Sequence, residues 1–294
     1  MKLNLRRSLW IAALAAAALT STAAEKKLVL VAGRPSHPPG AHEFRAGCLL
    51  LQKCLANVPG LTTLVYSNGW PSDAAVLDSA DAVVMYADGG GGHPVLKPER
   101  MATIEGLIKK GVGFGCMHYA CEVPKDKAGR QFHDWIGAFY EDRVSVNPMW
   151  VPDYQSFPNH PVCRGVKPFG VRDEWYFNLN FRPGMTDITP ILVAKPSDQV
   201  RKGPYVWPAG PYPHVVAASG RDEIMMWVCE SKDGKRGFGF TGGHFHDNWG
   251  NDHFRKVVLN TLVWLAKADV PVDGVASAVA ADELKQNLDP KGKK

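Results

Sequence analysis

A doubly wound, mostly parallel α/β sheet carrying loop and β elaborations is the fold class this sequence predicts. Three observations predict it: short apolar runs without alternation, amphipathic helical stretches between them, and polar, Gly-rich segments directly after the runs. Residues 27–33 (KLVLVAG) read as a fully buried strand ending in Gly. Residues 42–58 predict a helix, with Phe44, Cys48, Leu51, Leu55 and Val58 at spacings of three and four. Residues 62–66 and 82–87 predict the second and third strands, the latter stopped by Asp88 and four glycines. Residues 98–110 predict a helix with Pro98 near its start and Gly111 as its stop, and 112–117 a fourth strand. The stretch 143–220 is rich in Pro, Trp, Tyr and Phe and lacks helical periodicity, so it predicts strands and long loops elaborating one side. Residues 223–230 and 236–240 return as strands. Residues 251–268 form the clearest helix, with Phe254, Val257, Val258, Leu262 and Leu265 on one face.

The ends of the chain carry their own signals. Lys2, Arg6 and Arg7 precede an apolar run over 9–19, and Thr22-Ala23-Ala24 offers small residues for cleavage; residues 1–24 therefore predict an export signal and a periplasmic or secreted protein starting near Glu25. The eleven-residue run is too short to span a bilayer and no later run is longer, so no membrane association is expected after cleavage. Removing the signal lowers the formal charge from +5 to +2, which leaves no basic excess to favour nucleic acid. Residues 25–270 read as one α/β domain and 271–294 as a polar tail along its surface. Six cysteines are too few for a disulfide scaffold, and Cys48 and Cys54 share one helix at a spacing that forbids bridging. The oligomeric state is not encoded in any feature of the sequence.

In open parallel sheets ligands bind beyond the carboxyl ends of the strands. Six of the ten histidines (His37, His42, His93, His118, His244 and His246) fall in the four segments that follow predicted strands. His244 and His246, spaced as His-x-His in an extended segment, present both imidazoles on one side, and His118 at the end of a central strand offers a third ligand. Three imidazoles suit a divalent transition metal such as zinc, with an open position for water or substrate; the alternative is hydrogen bonding to a polar ligand without metal. Cys116 and Cys121 lie where a strand–turn–helix could present a nucleophile, but Gly-x-Ser-x-Gly is absent and no thiolate-stabilising neighbour is evident. The tetraglycine after Asp88 lacks the remaining features of a phosphate-cradling loop, so no nucleotide cofactor is expected; close approach of backbone to a ligand explains it better. Asp173-Glu174-Trp175-Tyr176 places carboxylates beside aromatic faces, a surface suited to a sugar or, alternatively, a packed aromatic cluster. Trp150, Trp207 and Trp249 are open to the same two readings.

Taken together, GRPSHPPGAHEF, ADGGGGHP, MHYACEVP, the run from Asp134 to Gly137, DEWY and GFTGGHFH, in this order, resemble the exported branch of the ThuA-like (trehalose-utilisation) family from about Lys27 to Ser277. The resemblance implies a class I glutamine amidotransferase-like fold in which His118 occupies the elbow where true amidotransferases carry a Cys, so glutamine hydrolysis is not expected. It also implies catabolism of disaccharides and glycosides oxidised to 3-keto sugars. It carries over His118, Glu174, Tyr176, His244 and His160 as family positions, with the His37/His42 loop shared by the exported branch. The expected function is thus an exported enzyme cleaving a sugar derivative, with a small carbohydrate as ligand. Its expected catalytic residues are His118, Glu122, Glu174 and Tyr176. Its expected substrate-binding residues are His37, His42, Asp88, His93, Trp175, His160 and Trp249, and its metal ligands His118, His244 and His246. The alternatives are a non-catalytic carbohydrate-binding protein and a Cys-dependent hydrolase.

Overall fold

The computed structural model describes residues 25–291; the expected export signal lies outside the described residues. In chain order come β1 (Lys26–Ala32), α1 (Phe44–Leu55), β2 (Leu61–Tyr66), β3 (Ala82–Tyr86), α2 (Pro98–Lys109), β4 (Gly113–Met117) and α3 (Arg130–Ile136). Four two-residue strands follow: β5 (Ala138–Phe139), β6 (Met149–Trp150), β7 (Asp173–Glu174) and β8 (Asn180–Phe181). Then come β9 (Ile188–Ala194), the short helices α4 (Asp198–Lys202) and α5 (Pro213–Val216), β10 (Glu223–Glu230), β11 (Arg236–Phe240) and α6 (Asp252–Leu265).

Seven strands form one sheet in the order β2-β1-β3-β4-β11-β10-β9. The first five run parallel, and β10 runs antiparallel to both its neighbours. Alternate residues of β1 enter two different cores. Leu28, Leu30 and Ala32 pack with α1 and α6, whereas Val29 and Val31 pack with Ile104 and Leu107 of α2 and Phe132 and Trp135 of α3. Burial on both faces is why the strand sequences show apolar runs rather than alternation. β1 connects to β2 on one side while β3 pairs on its other side, so the chain reverses direction across the sheet at β1, which opens a crevice over the carboxyl ends there. Among the described residues no helix is long and apolar enough to cross a membrane.

Three local departures from the sequence expectations have physical causes. The helix expected from residue 42 begins at Phe44, because His42 has φ of 50° and cannot continue a right-handed helix. β9 lies inside the stretch expected to hold strands and long loops on one side, but it joins the main sheet; Pro190 interrupts its pattern, and the strand tolerates it because it forms the edge of the sheet. α3 is too short for periodicity to show, and Gly137 in the left-handed region stops it.

The first two glycines of the tetraglycine after β3 are required by close packing within the protein. A Cβ at Gly89 would lie 1.9 Å from the Tyr119 carbonyl oxygen, and the Gly90 N–H donates to the Glu122 carbonyl at 2.9 Å. The loop therefore nests against the turn that follows β4. Gly89→Ala should destabilise the protein by about 1–3 kcal/mol or more through this overlap. Gly91→Ala, with nothing within 4 Å of its Cβ, should stay within about 0.5 kcal/mol of the parent. Denaturant midpoints of the two variants check the contrast.

Candidate metal centre and its cavity

Four loops at the carboxyl edge of the sheet converge on one buried cluster. His42 comes from the loop after β1, Asp88 follows β3, His118 follows β4 and His244 follows β11. Glu174 and Tyr176 arrive from β7 and the residues after it. The two-residue period of extended chain sorts this segment. Glu174 and Tyr176 face the cluster. Asp173 turns to the other side and accepts from the N–H groups of Gly243 (2.7 Å) and His244 (3.0 Å), holding the loop that carries His244. Trp175 packs in the core against Tyr154, Phe240 and Phe254.

His118 Nδ1 lies 3.0 Å from the Thr241 carbonyl oxygen, and His42 Nδ1 lies 3.0 Å from Asp88 Oδ1. Both partners are acceptors, so each ring places its proton on Nδ1 and leaves the Nε2 lone pair free. Those two Nε2 atoms face each other at 3.0 Å. His42 Nε2 is also 3.1 Å from His244 Nδ1, which lies 2.6 Å from Glu174 Oε2, and that oxygen is 3.7 Å from His118 Nε2. Burial, reinforced by the neighbouring imidazoles, holds His42 and His118 well below the usual histidine range, so both are neutral at physiological pH.

The four groups His42, His118, Glu174 and His244 can hold a metal ion: their donor atoms all lie within 4.8 Å of one another and all four residues are buried. Tetrahedral donors with zinc-like bonds of about 2.0–2.1 Å would be roughly 3.3 Å apart; the four separations given above, 2.6–3.7 Å, bracket that value, and the whole set lies within 4.8 Å. The outward Nδ1–H bonds to a carboxylate and a carbonyl are the supporting contacts that metal-ligating histidines make. The donor set differs from the sequence expectation at one ligand and adds two. His246 begins a 3-10 turn (His246–Gly250), and its backbone N–H donates to the Gly40 carbonyl, so the His-x-His pair does not stay on one side. His42 and Glu174, expected as substrate-binding and catalytic groups, join His118 and His244 instead.

The cluster forms the floor of a cavity of about 250 Å³ lined by His37, His42, Tyr119, Glu122, Tyr140, Asp142, Asn147, Glu174, Tyr176, Val206 and Trp207. Glu122, on the wall, is pushed up to about 8 by burial and then by the charges of Asp142 and Glu174. Tyr176 lies over His118 with ring centroids 4.9 Å apart and its hydroxyl 3.3 Å from Nε2. His37 stacks on His42 at 3.6 Å and sits at the mouth. Asn147 donates to Glu174 Oε1 at 2.7 Å and accepts from the Trp207 N–H, tying the floor to the rim. Trp207 is 76% exposed, an aromatic face presented to whatever enters. His37, His42 and His118 all adopt left-handed backbone conformations, a concentration of uncommon geometry at one site.

Several expected residues lie elsewhere. His93 donates from Nε2 to the Ala120 carbonyl and accepts the Val95 N–H, so both ring nitrogens are spent on the fold; burial lowers it to about 4. Trp249 packs against Tyr86 and Phe254 in the core. His160 caps a 3-10 turn and packs on Trp264, near the end of α6. All six cysteines are free; Cys116 and Cys121 are buried, and burial raises Cys116 well above the thiol range and Cys121 to about 12. The elbow position carries His118, and burial disfavours the thiolate at both nearby cysteines, surroundings that do not suit a Cys nucleophile. Tyr119, Tyr140, Asp142, Asn147 and Val206 were not foreseen from the sequence. Only the proximity of Tyr119 to His118 offered a signal.

Comparison with known proteins supports the same reading of the fold. A ThuA-like protein of Bacteroides uniformis is 14% identical with a TM-score of 0.58, covering 83% of this chain and 93% of that one. A ThuA-like protein of Parabacteroides merdae is 16% identical with a TM-score of 0.54, covering 87% and 94%. Among curated proteins no sequence matches. The family described as "ThuA: Trehalose utilisation" matches residues 42–265, a span that contains His42, His118, Glu174, Tyr176 and His244, and the chain belongs to that family.

Proposed function

We propose that this protein is an exported, metal-assisted enzyme that cleaves an oxidised sugar, a 3-keto-glycoside. The observation that carries the reading is the convergence of three imidazole nitrogens and a carboxylate oxygen on the floor of a cavity whose wall holds a protonated carboxyl group. A divalent cation such as zinc held by His42, His118, Glu174 and His244 would supply Lewis-acid polarisation of the keto oxygen. No nucleotide enters the scheme.

The chain's own residues support the remaining steps. A keto group at C3 acidifies the C2–H bond. In an elimination, a base takes that proton, the electron pair forms the C1–C2 double bond, and the C1–O bond breaks toward the departing alkoxide. Glu122, protonated below about pH 8, donates its proton to that oxygen. His37 at the mouth accepts the C2 proton, with Ser36 and Asp88 beside it. Tyr176 and Asn147 keep His118 and Glu174 in place. Water added across the new double bond would complete a net hydrolysis. The cavity lining favours an uncharged sugar: carboxylates, an amide and phenols suit hydroxyl groups, Trp207 offers a stacking face, and among the described residues no Lys or Arg lines it.

Protein purified without a histidine tag should contain close to one equivalent of a transition metal by elemental analysis, and lose both metal and turnover of a 3-keto-glucoside on chelation. His118→Ala should lower metal content and kcat/KM by at least a hundredfold. Saturable sugar binding without turnover under every metal condition would instead identify a binding protein, and absence of both metal and turnover would refute the enzyme.

The pH dependence follows from Glu122. A carboxyl that must be protonated gives activity on the acid side that is lost as pH rises through its pKa. A cation on the cavity floor can only lower that pKa, so the alkaline limb should lie no higher than about 8. Glu122→Gln should remove the limb and reduce kcat by about 10²–10⁴; a pH–rate profile of both proteins checks it.

A further inference from the structure

We propose that Lys291 is a positioning residue for the metal-binding imidazole of His42, and that the 271–291 segment is a strap whose purpose is to deliver it. The segment lies beyond residues 42–265, where the family match ends. It is anchored at successive points along its length. The Val275 N–H donates to Asn260 Oδ1 at 2.8 Å, Arg255 Nε donates to Ser277 Oγ at 2.9 Å, Lys53 pairs with Glu283, and Arg45 donates to the Asn287 carbonyl at 3.1 Å. These anchors run along α6 and then α1, and lead to the loop that precedes α1.

At that loop the Lys291 ammonium meets three acceptors. It donates to the carbonyls of Ala41 and His42, the latter at 3.1 Å, and pairs with Glu43 Oε1 at 3.1 Å. Its side chain is only 5% exposed and that of Glu43 only 1%. Glu43 in turn accepts the N–H groups of Gly40 and Asp289, each at 2.9 Å. Every strong partner of this buried ion pair therefore belongs either to the loop 40–43 or to the strap.

His42 needs such support. Its backbone is left-handed, a conformation that persists only where the surroundings over-determine it. Its side chain is held from the front by Asp88 and its N–H donates to the His244 carbonyl at 2.9 Å, whereas its own carbonyl depends on Lys291. An ammonium that satisfies two adjacent carbonyls and a carboxylate fixes the peptide planes on both sides of His42. Removing it would leave Glu43 as a buried, uncompensated charge and free the loop to rotate. Partners that orient a ligating histidine commonly change metal affinity by 10–100-fold.

The affinity readout rests on the metal reading above, so the experiment pairs it with one that does not. The full chain is compared with K291M, K291R and S277A. Hydrogen–deuterium exchange is followed over residues 36–47, and Co²⁺ is titrated by its visible absorption. K291M should accelerate exchange at 40–43 and weaken Co²⁺ binding at least tenfold with an altered spectrum. K291R should restore both to within about threefold. S277A, which loosens the same strap elsewhere, should leave both unchanged. Unchanged exchange in K291M, an equal effect of S277A, or faster exchange with intact Co²⁺ affinity each overturns the positioning role. Failure of the parent chain to bind Co²⁺ overturns the metal reading, while the exchange comparison still decides whether Lys291 holds the loop.

Discussion

Two neutral imidazoles facing each other at 3.0 Å with no proton between them are the constraint around which this molecule is arranged. Each spends its Nδ1–H outward, His118 on the Thr241 carbonyl and His42 on Asp88, and burial keeps either ring from picking up the proton that would turn the contact into a hydrogen bond. Such a pair is unfavourable by itself in a low-dielectric interior. It persists because the backbone fixes both rings, and the same arrangement leaves two lone pairs that a cation could share. The left-handed conformations of His42 and His118, uncommon for residues with a Cβ, are part of that fixing.

The sheet explains why this cluster sits where it does. Strands buried on both faces leave no room for polar chemistry along their length, so it collects where they end. The elaboration between β4 and β10 then closes over that edge. It contributes Glu174 to the donor set, Tyr176 against His118, and Asn147 between Glu174 and Trp207. Asp173 couples the two parts, since its carboxylate gathers the N–H groups of the loop that carries His244.

The fold was legible because its signals are local. The boundaries of β10 and β11 fall at the residues read from hydrophobic runs, and those of β1 to β4 differ from them by a residue. The location of the site was legible for the same reason, as histidines gathered at strand ends. Its composition was less so. Whether His246 joins His244 depends on the turn that His246 begins and on the bond from its N–H to the Gly40 carbonyl, about two hundred residues away in sequence, and periodicity carries no trace of that contact. Sequence spacing extends the helix back to His42 because a left-handed backbone at a non-glycine residue leaves no compositional mark. Trp175 and Trp249 could equally have been binding surface or core, and only packing distinguishes them: both are fully buried, while Trp207 is the tryptophan left at the rim.

The two glutamates of the cavity sit in contrasting surroundings. Glu174 sits on the floor with one oxygen bound by the Asn147 amide and the other turned to His244, positions that favour an acceptor. Glu122 stands on the wall, largely desolvated, facing Asp142 and Glu174 rather than any cation, and these surroundings keep it protonated near neutral pH. A floor that gathers lone pairs and a wall that keeps a proton would be complementary under the proposed cleavage, which needs a polarised carbonyl and a protonated leaving oxygen. The separation depends on the cavity staying small and closed enough to desolvate Glu122 while Trp207 leaves its mouth open. That balance is set by the elaboration between β4 and β10, the part of the chain whose structure was hardest to foresee from its residues.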